Sequence, residues 1–401
     1  MQPVYLDNNA TTRADPAVVA AMLPYFSEQF GNASSAHAFG REVAPALKQA
    51  RSALRQLLGA ASDAEIVFTS GGTESDNTAI LSALATQDGR DEIVTTAVEH
   101  PAVLAVIEHL EATRGIKVHR IGVDGSGRLD LDGYVRALGP RTALASVMWA
   151  NNETGMLFPV ARLAELAHGA GALFHTDAVQ AVGKVAIDLK ATAIDLLSLS
   201  GHKLHGPKGV GALYVRKGTP FDALLRGGPQ ERRRRGGTEN VPGIVGLGKA
   251  AELALAGLSD EAGRVGALRD RLERAIVDRI GHCVVIGDRD ARVPNTTNIA
   301  FAHLDGEAIL HRLTGAGIAA SLGSACASGS MEPSHVLRAM KVAPELLKGA
   351  IRFSLSRDTT AAEIDRVIEA LPGIFARVRA SAPSWQAHLQ SSSTATMEPA
   401  L

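Results

Sequence analysis

Between residues 65 and 215 the chain alternates short apolar runs with helical stretches, and no other feature restricts its fold as strongly. Residues 65–70 (EIVFTS), 92–96, 143–150, 173–176, 194–200 and 211–215 read as strands, with helical patterns over 73–85 and 160–168 among the segments between them. A strand covered on both faces is apolar throughout, not at every second residue, and a parallel neighbour is reached only through a crossover of a dozen or more residues. The predicted class is therefore α/β, a mostly parallel sheet covered by helices.

Residues 216–243 break this rhythm with RKGTP, RGGPQERRRRGGTEN and VPG, and read as loop or linker. Beyond them Val265, Leu268, Leu272 and Ile276 share one helical face. Strands are expected at 298–302 and 351–355, a helix at 307–313, and a last helix opened by a Thr360/Glu363 capping box. This predicts a second, smaller α+β domain from about residue 260, and a flexible tail over 381–401, where SSSTAT falls. A length of 401 residues suits two or three domains at roughly 150 residues each.

Charge and cysteine content exclude several classes. Forty-one Lys+Arg against 42 Asp+Glu gives a formal net charge of −1, which argues against a basic nucleic-acid binder. With 46% hydrophobic residues the chain has material for packed cores, so disorder as its main state is excluded. Two cysteines, Cys283 and Cys326, are too few for a disulfide scaffold or a Cys-rich zinc fold, and read as free thiols in a reducing compartment. The start MQPVYLDNNATT has no basic segment followed by an apolar core, and no apolar run reaches ~18 residues. The expectation is a soluble cytoplasmic protein, with no membrane and no nucleic acid among its partners.

Four segments carry candidate chemistry. Gly71-Gly72-Thr73 lies between a predicted strand and helix, where free N–H groups can meet a phosphate; it equally fits a glycine turn with Thr73 as N-cap. Asp177, in HTDAVQ, closes a buried strand where α/β proteins bind ligands, with Gln180 as a nearby donor; it could instead cap the next helix. Lys203, in SGHKLHGPKG, follows an apolar strand among small residues, and desolvation there would favour imine chemistry, with Ser200 and His202 as phosphate donors. A surface lysine in a basic loop is the alternative. Cys326 lies in GSACASGS, a run of small residues that leaves a thiol accessible; a small buried hydrophobe is the competing reading, and the one that Cys283 in HCVVIG fits. A phosphate cradle, a strand-end acid and an imine-forming lysine together suit pyridoxal 5'-phosphate (PLP), whose ring nitrogen pairs with a carboxylate.

With these segments in order, the chain closely resembles the cysteine desulfurases among the class V, fold-type I PLP enzymes, from Val4 to about Arg379. The matching stretches are YLDNNATT (5–12), TSGGTESDN (69–77), VEHPAV (98–103), WANNETG (149–155), HTDAVQ (175–180), SLSGHKLHGPKGVG (198–211), RRGGTEN (234–240), GSACASGS (323–330) and RFSLSR (352–357). WANNETG, SGS after the cysteine and SHVLRAM are most similar to the nitrogenase-associated branch of that family. The resemblance implies a large PLP-binding domain over 16–258 with a mostly parallel seven-stranded sheet, and a small domain of 1–15 with 259–380.

It also implies roles. Lys203 holds PLP covalently and His100 stacks on the ring. Asp177 pairs with the ring nitrogen, Gln180 donates to the phenolic oxygen and Asn152 lies at the ring and substrate. Gly72, Thr73, Ser200, Gly201 and His202 hold the phosphate, and Thr238 reaches the phosphate of a second subunit, implying a homodimer. Arg352 clamps the carboxylate of L-cysteine bidentately. Cys326 accepts the sulfur, and as a transient iron–sulfur ligand shared with a scaffold protein it is the only metal position implied. The reaction implied takes L-cysteine to L-alanine: Lys203 moves the α-proton, the Cys326 thiolate attacks the sulfur, and the resulting persulfide supplies an iron–sulfur scaffold, in the nitrogenase context. The alternatives are a selenocysteine lyase or another class V enzyme, or a non-catalytic scaffold of the same fold.

Overall fold

The computed structural model describes residues 3–323 and 333–395. In chain order its strands are β1 (Val4–Tyr5), β2 (Ile66–Thr69), β3 (Glu92–Thr96), β4 (Lys117–Ile121), β5 (Thr142–Ser146), β6 (Leu173–Asp177), β7 (Leu196–Ser200), β8 (Gly211–Val215), β9 (Cys283–Val285), β10 (Thr296–Phe301), β11 (Ile318–Ala319) and β12 (Ala350–Ser354). Seven of them form one sheet in the order β2-β8-β7-β6-β5-β3-β4. All neighbours are parallel except β8, which is antiparallel to both β2 and β7. The exception follows from chain length: residues 201–210 are too few for a crossover, so the chain turns back on itself.

β5 to β8 are buried at every position, which is why they read as continuous apolar runs. Because β2 and β7 both run against β8, the C-terminal ends of β2, β3, β5, β6 and β7 open onto one edge of the sheet. That is the edge where ligands bind in open α/β sheets. Strand β4 (KVHRI) has no apolar run, being the half-exposed last strand of the sheet, and sequence periodicity did not reveal it.

A second, antiparallel sheet, β12-β10-β9, has its own core in which Leu272, Ile276, Phe301, Phe353, Ile364 and Phe375 are buried together. The N-terminus belongs to it: Val4 and Leu6 are buried in the same cluster, and β1 pairs with β11. The predicted capping box at Thr360 and Glu363 is present in both directions. Residues Val241–Ile280 form a helical run long and apolar enough by composition to cross a bilayer. Half of its most apolar window is buried, and a Cβ on Gly248 would lie 2.5 Å from Ala50 Cα, so it packs tightly against the helix Ala38–Leu57 as a core helix does.

Two sequence expectations are corrected. The strand expected over 143–150 ends at Ser146: the Val147 and Trp149 N–H groups still bond to the His175 and Asp177 carbonyls of β6 at 3.1 and 2.8 Å, but the Met148 N–H between them is taken by the Glu99 carboxylate at 3.0 Å. The tail expected to be flexible from 381 is instead helical over Pro383–Ala395. One residue accounts for this: Trp385 is 6% exposed, with the Arg379 guanidinium 4.3 Å above its ring and His282 edge-on at 4.9 Å.

Candidate active site

The edge where β2, β3, β5, β6 and β7 end holds a cavity of about 550 Å³. Gly72, Thr73, His100, Asn152, Asp177, Gln180, Ser200, His202, Lys203 and Arg352 all line it, so most of the residues singled out from sequence converge on one space.

At one end the chain leaves β2 and starts the helix Gly72–Thr86, whose first N–H groups lack intrahelical partners. Space at position 72 is tight: a Cβ there would lie 2.9 Å from Val179 Cγ2, so any larger residue would push the Val179 side chain aside. Ser200 closes β7 and His202 follows on a single tight turn, its Nδ1 3.1 Å from Thr11 Oγ1. Burial, then Lys203 and Lys208, push the His202 pKa down to about 4, so its ring is neutral at pH 7. Free amides at a helix start, a hydroxyl and a neutral imidazole form a dianion cradle. Gly201 is buried behind that turn, donating to the Val210 carbonyl, and shapes the cradle without lining the cavity.

In the middle stand an acid, an amide, an amine and an imidazole. Asp177 closes β6 and accepts from the Val179 N–H at 2.9 Å. Burial first, then neighbouring Asp76, raise its pKa to about 7, and a cation on the cavity side would restore ionisation. Lys203 Nζ donates to the Asn9 carbonyl at 2.5 Å and the Ala10 carbonyl at 2.6 Å, so the YLDNNATT segment holds the amine in place. His100 caps the helix Pro101–Arg114, its Nδ1 accepting the Ala102 N–H at 3.1 Å. Burial lowers its pKa, so the neutral ring carries its proton on Nε2.

At the far end Arg352, on β12, is only 1% exposed. Its Nη2 donates to Asp7 Oδ1 at 2.7 Å, and its Nη1 to the carbonyls of Asn152 at 2.9 Å and Gly323 at 3.1 Å. Its Nε is buried without a hydrogen-bond partner, and orphaned buried groups are uncommon in folded proteins. In a residue that lines a cavity this size, with an amine, an acid and a dianion cradle also on the wall, that fits a bound cofactor and an anionic substrate.

One sequence candidate lies away from this cavity, and another falls outside the described residues. Thr238 is exposed on the loop before the helix Val241–Asp260 and does not line this cavity. Cys326 lies outside the described residues; Gly323, three residues before it, lines the cavity. Cys283 is on β9, partly buried, and burial raises its thiol pKa. Among the described residues no group of His, Cys, Asp or Glu is arranged to hold a metal.

Sequence reasoning gave no role to Asn9, Asp76, Glu99, Glu153 and His335, all at or just behind the wall. Asp76 had a readable signal, one helical turn after Gly72 and hence on the same face. Asn9 and Glu153 stood inside quoted stretches. Glu99 bonds to Thr96 Oγ1 and the Met148 N–H, and burial raises its pKa to about 8.

Comparison with known proteins agrees with this geometry. Residues 4–367 match the model of the family described as aminotransferase class-V. A cysteine desulfurase of Gluconacetobacter diazotrophicus is 66% identical over 385 residues, 96% of each chain. The cysteine desulfurase NifS of Azotobacter vinelandii is 59% identical over 385 residues, again 96% of each chain. Among solved structures a NifS-like protein superposes with a TM-score of 0.87 at 37% identity, covering 94% of this chain and 100% of that one.

Proposed function

The chain belongs to the class-V aminotransferase family and, within it, to the cysteine desulfurases, and from that premise we propose how the residues of its cavity take sulfur from L-cysteine with PLP. It is a PLP-dependent enzyme of the α/β, fold-type I class. The observation that carries the residue-level reading is the convergence of the Lys203 amine, the Asp177 carboxylate and the helix start at Gly72 in one cavity.

When bound, PLP supplies an electron sink for charge developing at the substrate α-carbon. The protein supplies the rest. Ser200, His202 and the N–H groups of Gly72 and Thr73 hold the phosphate, with Thr238 of a second subunit completing the cradle in a homodimer. Lys203 anchors the cofactor and moves the substrate's α-proton. His100 covers the ring face and carries a proton at Nε2. Arg352 clamps the substrate carboxylate, held by Asp7 and the Asn152 carbonyl. Cys326 takes the sulfur as a persulfide, leaving L-alanine, and passes it to an iron–sulfur scaffold protein with which it transiently shares a cluster ligand. A cytoplasmic setting suits a free persulfide-forming thiol, and the similarity to NifS supports nitrogenase as the destination. The test is direct: purified protein given L-cysteine releases L-alanine and gains chain-bound sulfur removable by a reductant. Release of sulfide with no sulfur ever on the chain would overturn the persulfide step.

Asp177→Asn separates the ring partner from the rest of the site. Asparagine keeps the shape and the bond from the Val179 N–H but leaves no negative charge against the ring nitrogen. The expected result is a fall in kcat of at least ~100-fold, the scale lost when one electrostatic stabiliser of developing charge is removed. Wild-type kcat in this variant would remove Asp177 from the mechanism.

A further inference from the structure

One buried cation has no place in the chemistry above. Lys184 is 8% exposed and lies four residues beyond Gln180 in a run of turns. Its Nζ lies 2.6 Å from Gln180 Oε1 and 3.2 Å from Asn9 Oδ1. Burying an amine this deeply is costly unless it is paired and hydrogen-bonded. Glu261, also buried, lines the same small cavity of about 30 Å³, room for about one water. Burial lowers the Lys184 pKa to about 7 while the Glu261 charge opposes that fall, and burial raises Glu261 to about 7.

The contacts fix polarity at Gln180. Asn9 Nδ2 donates to the Asn152 carbonyl at 3.2 Å and to Thr296 Oγ1 at 2.8 Å, so its Oδ1 is the atom turned toward Lys184. The Asn9 carbonyl only accepts, so the Gln180 atom facing it is the amide nitrogen, and the atom toward Lys184 is the amide oxygen, which accepts from Nζ. The amide nitrogen then faces the other way, with one N–H on the Asn9 carbonyl at 3.0 Å and the second left for the cavity that Gln180 lines. With no cation at 184 only the bond to the Asn9 carbonyl would hold the amide in this sense, and turning it over to present an oxygen would cost that one bond.

We propose that Lys184 is a positioning residue for the cofactor: by donating to Gln180 Oε1 it holds the Gln180 amide, together with the Asn9 carbonyl, so that an N–H donor and not a carbonyl oxygen is presented to the cofactor's phenolic oxygen. This rests on the role proposed for Gln180. The charged and titratable groups facing Lys184 are Glu261 across the small cavity, Lys203 and Arg352 on the cofactor side, and His205 and Arg357 along the cavity wall. A donor on the phenolic oxygen stabilises its deprotonated form, so losing that donor raises the pH at which the proton between that oxygen and the Lys203 linkage is released.

The readout is the pH midpoint of the holoenzyme's visible absorbance band. Gln180→Leu should raise it by about one unit, a tenfold tighter hold on that proton. Lys184→Met should raise it similarly, and the double variant no further, because both remove the same donor. Lys184→Gln, which keeps an N–H donor but no charge, should return the midpoint to the wild-type value. A Lys184→Met midpoint equal to wild type, a shift that adds to that of Gln180→Leu, or a Lys184→Gln midpoint matching Lys184→Met would each overturn the proposal, the last two because Lys184 would be acting by its charge directly. If Lys184→Met fails to fold with Glu261 left unpaired, Lys184→Met/Glu261→Gln measured against Glu261→Gln gives the same comparison. An unmoved midpoint in Gln180→Leu overturns the role of Gln180 and this inference together, whereas a shift there without one in Lys184→Met overturns only this inference.

Discussion

Replacing Lys203 by alanine is expected to abolish turnover and leave no cofactor covalently attached to the chain. Lys203 Nζ is held at 2.5 and 2.6 Å from two backbone carbonyls, at a cavity wall that also carries the acid and the phosphate cradle. Alanine removes both the anchor and the base for the α-proton, and a positioned base alone is worth ~10²–10⁴-fold. Cofactor should still bind through Asp177, Ser200, His202 and the first N–H groups of the helix Gly72–Thr86, so the variant separates binding from attachment. Borohydride treatment followed by peptide mapping checks this: wild type fixes the cofactor on the peptide containing Lys203 and the variant fixes none. The informative failure is an adduct at Lys184. Its amine is spent on Gln180 and Asn9, and a stable adduct there would displace Lys203 from its assigned role.

How much of this site the sequence revealed depends on whether a residue's task leaves a local trace. Asp177, Lys203 and Gly72 were legible because each closes or follows a buried strand with an apolar start, and the end of a buried strand in an α/β sheet is where ligands bind. Strands β3 and β8 coincide with the expected residues. Residues whose tasks depend on distant chain left little trace. Asp7 meets Arg352 across 345 residues, and Asn9 meets Lys184 across 175, so no window around either shows the contact. Lys184 is an intermediate case: its four-residue spacing from Gln180 was visible, but only the structure shows that both are buried and joined. The helix Pro383–Ala395 was missed because a serine-rich composition reads as unstructured, whereas Trp385, docked under Arg379, anchors the segment.

Cys326→Ala is expected to stop alanine formation while leaving cysteine binding and its spectral changes intact. Binding and α-proton removal draw on Arg352, Lys203 and His100, none of which needs the thiol. Breaking the carbon–sulfur bond needs a nucleophile aimed at sulfur, and among side chains the thiolate is the one suited to it. Cys326 follows Gly323, which lines the cavity wall, by three residues in the sequence. The described residues on either side of the segment are held at the cavity: Gly323 donates to Ser321 Oγ at 3.1 Å and accepts from Arg352 Nη1 at 3.1 Å, and Ser334 Oγ donates to Glu153 Oε2 at 2.5 Å. The other cysteine is poorly placed, since Cys283 stands on β9 among residues of the second core, and burial there raises its pKa and disfavours the thiolate. Wild type exposed briefly to L-cysteine should therefore gain one reducible sulfur on the peptide containing Cys326 and none on that containing Cys283. Alkylation of Cys326 should rise with pH as the thiolate forms. If the variant makes alanine at the wild-type rate, or the added sulfur maps to Cys283, the cavity expels sulfide without a covalent carrier, and Cys326 has another use.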